Sequence, residues 1–117
     1  MMKHDIATKE DITLLVNKFY TLVLQNIKIG FYFKNLNFEY HMPKMIHFWS
    51  FILLDEPGYT TNVTQKHENM HLQPEHFDEW IKLFSETVDT LFEGEKAEMA
   101  KSRAKLLGLT MSSKFNQ

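Results

Sequence analysis

Apolar residues of this chain recur at steps of three and four, which is the spacing that places side chains on one face of an α-helix. Thr8 and Asp11, three residues apart, resemble the capping box that begins a helix. We predict an amphipathic helix from Lys9 to Asn26. Its apolar face consists of Ile12, Leu15, Phe19, Leu22 and Val23. No stretch of useful length alternates apolar and polar residues as a half-buried strand does, so the pattern predicts an all-α fold.

The middle of the chain contains a corner and a second helix. The apolar residues of segment 27–37 are too closely spaced for an exposed loop, so we predict a short buried corner there. Pro43 is expected in the first turn of the second helix, because proline is tolerated where the backbone amide has no intrahelical partner. The helix continues through Met45–Leu54, and Asp55–Gly58 ends it.

The second half of the chain predicts two longer helices. Residues 59–66 are polar and β-branched without periodicity, which predicts a loop that leads into a short helix around His67. Pro74 starts the next helix, and Glu93 and Gly94 close it. Its apolar stripe consists of Phe77, Trp80, Ile81, Phe84, Val88 and Leu91. The last helix presents a narrow face of small and apolar residues, namely Ala97, Ala100, Ala104, Leu107 and Met111.

Length and charge exclude several classes of protein. A chain of 117 residues can bury one hydrophobic core but not two, so we expect one domain over residues 1–117. The formal net charge is −2 and no two Lys or Arg residues are adjacent, which argues against nucleic acid as a partner. No apolar run approaches the ~20 residues that span a bilayer, and the first residues lack the apolar segment of a signal peptide. We expect a cytoplasmic protein with no membrane partner.

Aromatic residues are unusually frequent. Ten Phe, four Tyr and two Trp make up 14% of the chain, and seven Met accompany them. A core of this kind is bulky and adapts its shape, which suits a flat apolar ligand. It suits helix packing without a ligand equally well, so composition leaves both interpretations open.

The chain has six histidines and no cysteine, so imidazole is the natural ligand for a transition metal. We expect His4 and His76 at the surface, because one is near the N-terminus and the other lies in the exposed first turn after Pro74. His47 lies beside large aromatic residues in an apolar helix, and we expect a core histidine with satisfied hydrogen bonds there.

Two of the histidines form an H-E-x-x-H motif, the zinc-protease pattern in which both imidazoles bind zinc and the Glu acts as base. The residues are His67, Glu68 and His71. Polar Asn69 interrupts the motif and Pro74 follows closely, which disfavours the long, apolar motif helix of such enzymes. A zinc-dependent hydrolase nevertheless remains an alternative.

A different interpretation needs only one histidine. The stretch Lys66-His67-x-x-Met70-x-Leu72-x-Pro74-Glu75-His76-Phe77-x-x-Trp80 resembles the proximal segment of truncated haemoglobins, in particular the third group of that family. Phe19-Tyr20 resembles their distal Phe-Tyr pair. His41 with Phe48-Trp49 resembles their distal helix. These matches keep their order from about residue 10 to residue 110, so the resemblance covers most of the chain.

The resemblance implies a truncated-globin fold of the two-over-two helical type that encloses a haem. The expected cofactor is haem b, iron protoporphyrin IX, held without covalent attachment because the chain has no cysteine. The resemblance makes His67 the proximal iron ligand. It assigns the other cofactor-binding contacts to Tyr20, Phe33, His41, Met45, Phe48 and Trp80.

The distal residues have distinct implied roles. Tyr20 and Trp80 each donate a hydrogen bond to the partly anionic oxygen of an iron–dioxygen adduct, and His41 is a third donor or a gate. Phe33 packs on the porphyrin. Pro43 disfavours helical geometry in the residue before it, so we predict that His41 lies just before the second helix.

Three functions are therefore weighed. The first is a haem protein that binds dioxygen and related diatomic ligands at a five-coordinate iron, with or without nitric oxide or peroxide chemistry, and with an electron-donating reductase as a partner. The second is the zinc-dependent hydrolase, and the third is a helical interaction module without a cofactor. The sequence does not decide between oxygen binding and catalysis.

Overall fold

The computed structural model describes residues 3–35, 37–57 and 74–115, with side chains as far as residue 110. This part of the chain contains five helices, namely α1 (Lys9–Gln25), α2 (Gly30–Phe33), α3 (Phe38–Leu54), α4 (Pro74–Leu91) and α5 (Glu95–Phe115). The described ranges contain no strand, which agrees with the predicted all-α fold. The H-E-x-x-H motif, with His67, Glu68 and His71, lies outside the described residues, as do the predicted loop and short helix.

Helix α1 begins at the predicted capping box. The Thr8 hydroxyl oxygen accepts from the Asp11 amide at 3.2 Å, and the Asp11 carboxylate accepts from the Thr8 amide at 3.1 Å. The helix ends one residue before the predicted end, and Asn26 then turns the chain because its side-chain oxygen accepts from the amides of Lys28 and Ile29. The buried face is Ile12, Leu15, Val16, Phe19, Tyr20 and Val23.

The corner after α1 is only partly buried. Ile29 and Phe33 are buried as predicted, but Ile27 is 97% exposed and Phe31 is 68% exposed. A Cβ at Gly30 would lie 2.9 Å from the carbonyl oxygen of Leu24. The glycine therefore allows α2 to pack directly against the end of α1.

Helix α3 starts further upstream than predicted. Its first residue is Phe38, so Pro43 lies inside the helix and His41 lies in its first turns rather than before it. The prediction failed because Asn37 fixes the first turn: its backbone carbonyl accepts from the His41 amide at 2.9 Å and its side chain from the Tyr40 amide at 3.3 Å. At the predicted end, Asp55 adopts the left-handed conformation, with φ of 59°.

The long helices form two pairs. Helices α4 and α5 are joined by residues 92–94 and pack along each other, with Ala97, Ala100 and Ala104 buried on α5. Helices α1 and α3 form the second pair. Helix α1 also packs on α4, and α3 also contacts α5. This arrangement agrees with the predicted two-over-two architecture. None of the described helices is both long enough and apolar enough to cross a membrane.

The N-terminal segment packs against the connection between α4 and α5. The Asp5 carboxylate accepts from the amides of Lys96 and Ala97, both at 2.8 Å, and so caps the start of α5. Gly94 has φ of 136°, and a Cβ there would lie 2.6 Å from Cγ of Asp5. Only glycine fits this conformation beside the capping carboxylate.

Candidate functional site

Tyr20 and His41 meet between α1 and α3. The Tyr20 hydroxyl oxygen and His41 Nε2 are 3.0 Å apart, and the two rings meet edge-on with centroids 5.4 Å apart. Tyr20 is 5% exposed because it lies on the buried face of α1, while His41 is half-buried. The structure thus joins two of the polar residues singled out in the sequence.

The direction of this hydrogen bond depends on the tautomer of His41. When Nε2 carries the proton, it donates to the Tyr20 oxygen and leaves the hydroxyl proton available to another acceptor. When Nδ1 carries the proton, the hydroxyl donates to Nε2 instead. Burial raises the pKa of the Tyr20 hydroxyl above its usual value, so the phenol keeps its proton at neutral pH.

Aromatic rings surround the Tyr20–His41 pair. The Phe33 ring, at the end of α2, is 6.3 Å from that of Tyr20 and is fully buried. The Phe38 ring lies 5.7 Å from Tyr20 and 6.4 Å from His41. Phe38 was not among the predicted site residues, although its position three residues before His41 places both on one helical face. The polar pair therefore lies in a largely apolar, low-dielectric setting.

Trp80 reaches the same region from α4. It is 6% exposed, its ring meets the edge of Phe19 at 5.6 Å and it stacks on Phe84 at 6.0 Å. Phe19 also contacts Tyr20 at 5.1 Å, so one ring links the two predicted donors. Within the part of the chain that the structure describes, the Trp80 indole N–H makes no hydrogen bond. It is a donor that a ligand can use.

The two remaining predicted site residues lie on α3. Met45 is buried, four residues after His41. Phe48 is half-buried, contacts Trp49 edge-on at 5.1 Å and faces a groove of about 220 Å³ between α3 and α5. The other residues of this groove are Ile52, Arg103, Leu106, Leu107 and Thr110.

The other described histidines have protein partners. His4 is exposed and pairs with Asp11 at 3.1 Å, and the His76 ring packs on Tyr32 at 4.6 Å. His47 is half-buried rather than a core residue, and its Nε2 lies 3.1 Å from the carbonyl oxygen of Pro57. Among the described residues, no group of three or more His, Asp or Glu side chains could hold a metal ion.

Comparisons with known proteins extend over almost the whole chain. No family model matches it. A curated protein, "Group 3 truncated hemoglobin ctb" of Campylobacter jejuni, is 28% identical over 113 residues, which cover 91% of this chain and 89% of the relative. The crystal structure of a group III truncated hemoglobin from Campylobacter jejuni matches with a TM-score of 0.85 and 25% identity, over 97% of this chain and 95% of that chain. The resemblance predicted from the sequence is confirmed in both sequence and fold.

Proposed function

We propose that this chain, which is similar to group III truncated haemoglobins in sequence and fold, binds haem b and, at the haem iron, dioxygen or a related diatomic ligand. The observation that carries the proposal is the part-buried contact of 3.0 Å between the Tyr20 hydroxyl and His41 Nε2, with the Trp80 ring linked to Tyr20 through Phe19. A hydroxyl, an imidazole and an indole N–H are thereby held among aromatic rings, as donors to a small polar ligand should be.

The side chains at the site suit a haem. The haem iron would need one imidazole from the protein, which we assign to His67. Phe33 and Met45 are apolar, as residues that would pack on a porphyrin should be. Tyr20, His41 and Trp80 supply a hydroxyl, an imidazole and an indole, which are the neutral donors suited to a small polar ligand. When bound, the haem supplies a ferrous iron with one free position for that ligand.

The protein groups then act on the ligand by donating protons in hydrogen bonds. Trp80 Nε1 is a permanent donor because an indole has no acceptor nitrogen. Tyr20 donates to the ligand only when His41 Nε2 is protonated and donates to the Tyr20 oxygen. The surrounding aromatic rings lower the local dielectric constant, which strengthens each of these hydrogen bonds. His41 thereby sets the number of donors that the ligand meets.

An electron-donating reductase belongs to this proposal, because a haem iron would bind dioxygen only in its reduced form. Turnover of nitric oxide or peroxide is a further function that this site would favour. Several hydrogen-bond donors would hold the bound ligand tightly, and slow release of the ligand favours a reaction over transport. We also propose that the protein acts in the cytoplasm.

The optical spectrum of the purified protein tests the cofactor. We expect a red protein with an intense Soret band. His67→Ala should abolish or greatly weaken haem retention, whereas the matched His71→Ala should leave the spectrum nearly unchanged. A colourless protein with one zinc per chain and a peptidase activity lost in Glu68→Gln would instead establish the zinc hydrolase. Loss of haem in His71→Ala alone would show that the axial ligand is misassigned.

A further inference from the structure

Gly108 occupies a buried position in the middle of α5, where glycine destabilises a helix by about 1 kcal/mol relative to alanine. A Cβ at this position would lie 2.7 Å from both Cγ1 and Cδ1 of Ile81, and 3.7 Å from Cε3 of Trp80. The first two distances are shorter than real carbon–carbon contacts. The Ile81 side chain therefore occupies the space that a Cβ at position 108 would need, and it would have to shift to admit one.

The side chain that meets Gly108 belongs to the residue next to Trp80 in the chain. Phe19 meets the Trp80 ring edge-on and Phe84 stacks on it. A Cβ at position 108 would be in ordinary contact with Cε3 of the indole, at 3.7 Å, but would overlap the Ile81 side chain. The indole is thus held by two aromatic side chains, and its place on α4 depends on how Ile81 packs against α5.

We propose that Gly108 is a positioning residue for Trp80, because the missing side chain leaves room for Ile81, the next residue of α4, and so sets the position of the indole and its N–H. The functional consequence rests on the proposed function, in which that N–H donates to the diatomic ligand. A hydrogen bond weakens steeply as its angle and distance depart from the optimum, so a small displacement of the ring is sufficient to weaken ligand holding.

Alanine cannot enter position 108 without moving its neighbours. Ile81 is β-branched, so its χ1 angle is restricted in a helix and Cγ1 cannot rotate away freely. The remaining relief is a separation of α4 from α5 or a shift of the Ile81 backbone. Ile81 directly follows Trp80 in the chain, so either movement reaches the indole.

The test compares Gly108→Ala with the double variant Gly108→Ala/Ile81→Ala, in which the truncated Ile81 returns the space that the new Cβ takes. The first measurement is the indole ¹⁵N–¹H resonances in the ferrous carbon monoxide form, or in the protein as purified if it holds no haem. We expect Gly108→Ala to shift the Trp80 resonance more than that of Trp49, and the double variant to restore it. The exposed Lys105→Ala on the same helix is the control and should shift neither.

The second measurement is the oxygen dissociation rate. We expect Gly108→Ala to raise it by roughly three- to tenfold and the double variant to return it toward that of the unaltered protein. An unshifted Trp80 resonance in Gly108→Ala would overturn the inference, whatever the ligand. A shifted resonance with an unchanged rate in both Gly108→Ala and Trp80→Phe would support the positioning role and contradict the proposed role of Trp80 in oxygen binding.

If Gly108→Ala fails to fold, a second comparison still tests the proposal. Ile81→Ala leaves space beside Trp80, and adding the Cβ at position 108 fills part of that space. The Trp80 resonance of the double variant should then lie closer to that of the unaltered protein than the resonance of Ile81→Ala does. A double variant no closer than Ile81→Ala would overturn the proposal.

Discussion

Tyr20 and Trp80 test the candidate site most directly at the scale of single residues, because phenylalanine at either position removes a donor and keeps an aromatic ring. A hydrogen bond to a polarised partner contributes roughly 1.5–3 kcal/mol. Loss of one donor should therefore raise the oxygen dissociation rate by roughly ten- to a hundredfold, provided that no water replaces it. Tyr40→Phe is the matched control, since Tyr40 is 61% exposed and its hydroxyl meets Lys44.

The double variant Tyr20→Phe/Trp80→Phe shows whether the two donors act as one unit. Both rings contact Phe19, and Tyr20 also shares a hydrogen bond with His41. Contacting residues usually show non-additive effects, so the combined change should differ from the product of the single changes. Dissociation rates close to that of the unaltered protein in all three variants would mean that these side chains are core packing only.

Asp5 is the residue to change at the scale of secondary-structure elements, because it caps α5 from outside that helix. Burial alone would raise the pKa of Asp5, but hydrogen bonds from the amides of Lys96, Ala97 and Ile6 outweigh it and lower the pKa below its usual value. A carboxyl with a lowered pKa in the folded state stabilises the protein above its unfolded pKa of about 3.9. That contribution is lost as the pH falls through the lower, folded pKa.

Asp5→Asn removes the charge and keeps the shape of the side chain. We expect it to lower the free energy of unfolding at pH 7 by about 1 kcal/mol, and the difference from the unaltered protein to shrink below about pH 4. Urea unfolding at several pH values measures this. The control is the exposed Glu86→Gln on α4, which should change stability little. A deficit of Asp5→Asn that is independent of pH would mean that charge has no part in the cap.

The helix boundaries show which elements the sequence could predict. Helices α1 and α4 have clear start signals and α5 follows the predicted stop at Gly94, and the structure has a helix at each of these positions. The start of α3 was predicted wrongly because Pro43 was given more weight than the Asn37 cap. The exposure of Ile27 and Phe31 could not be read from their residue types, because it depends on which parts of the fold cover the corner.

The stability of the whole molecule should depend on its cofactor. A ligand that binds only the folded state stabilises it, by about 2.7 kcal/mol when its free concentration is a hundred times Kd. For a chain of this length that should raise Tm by roughly 10 °C. Thermal unfolding of the protein with haem, without haem and as His67→Ala measures this. We expect the last two to agree, and equal Tm values with and without haem would contradict binding within the folded core.

Only part of the candidate site could be predicted from the sequence, because the rest depends on how the helices pack together. Residue patterns place Tyr20 on the first helix and His41 just before the second, and the resemblance brought them together, whereas periodicity contains no information on how α1 meets α3. The link through Phe19 and the close approach at Gly108 arise from the packing of three helices. A glycine in a regular helix was the signal for that approach, although its partner on α4 could not be named from the sequence.

The bonds from Lys96 and Ala97 to Asp5 have a consequence for the order of folding. They join positions 91 and 92 residues apart, whereas the hairpin of α4 and α5 is built from neighbouring parts of the chain. Local contacts form quickly, and contacts between distant positions form more slowly because a long loop must close first. The hairpin is therefore expected to assemble before the N-terminal segment docks. The first turn of α5 should accordingly be one of the last regions of the molecule to become rigid.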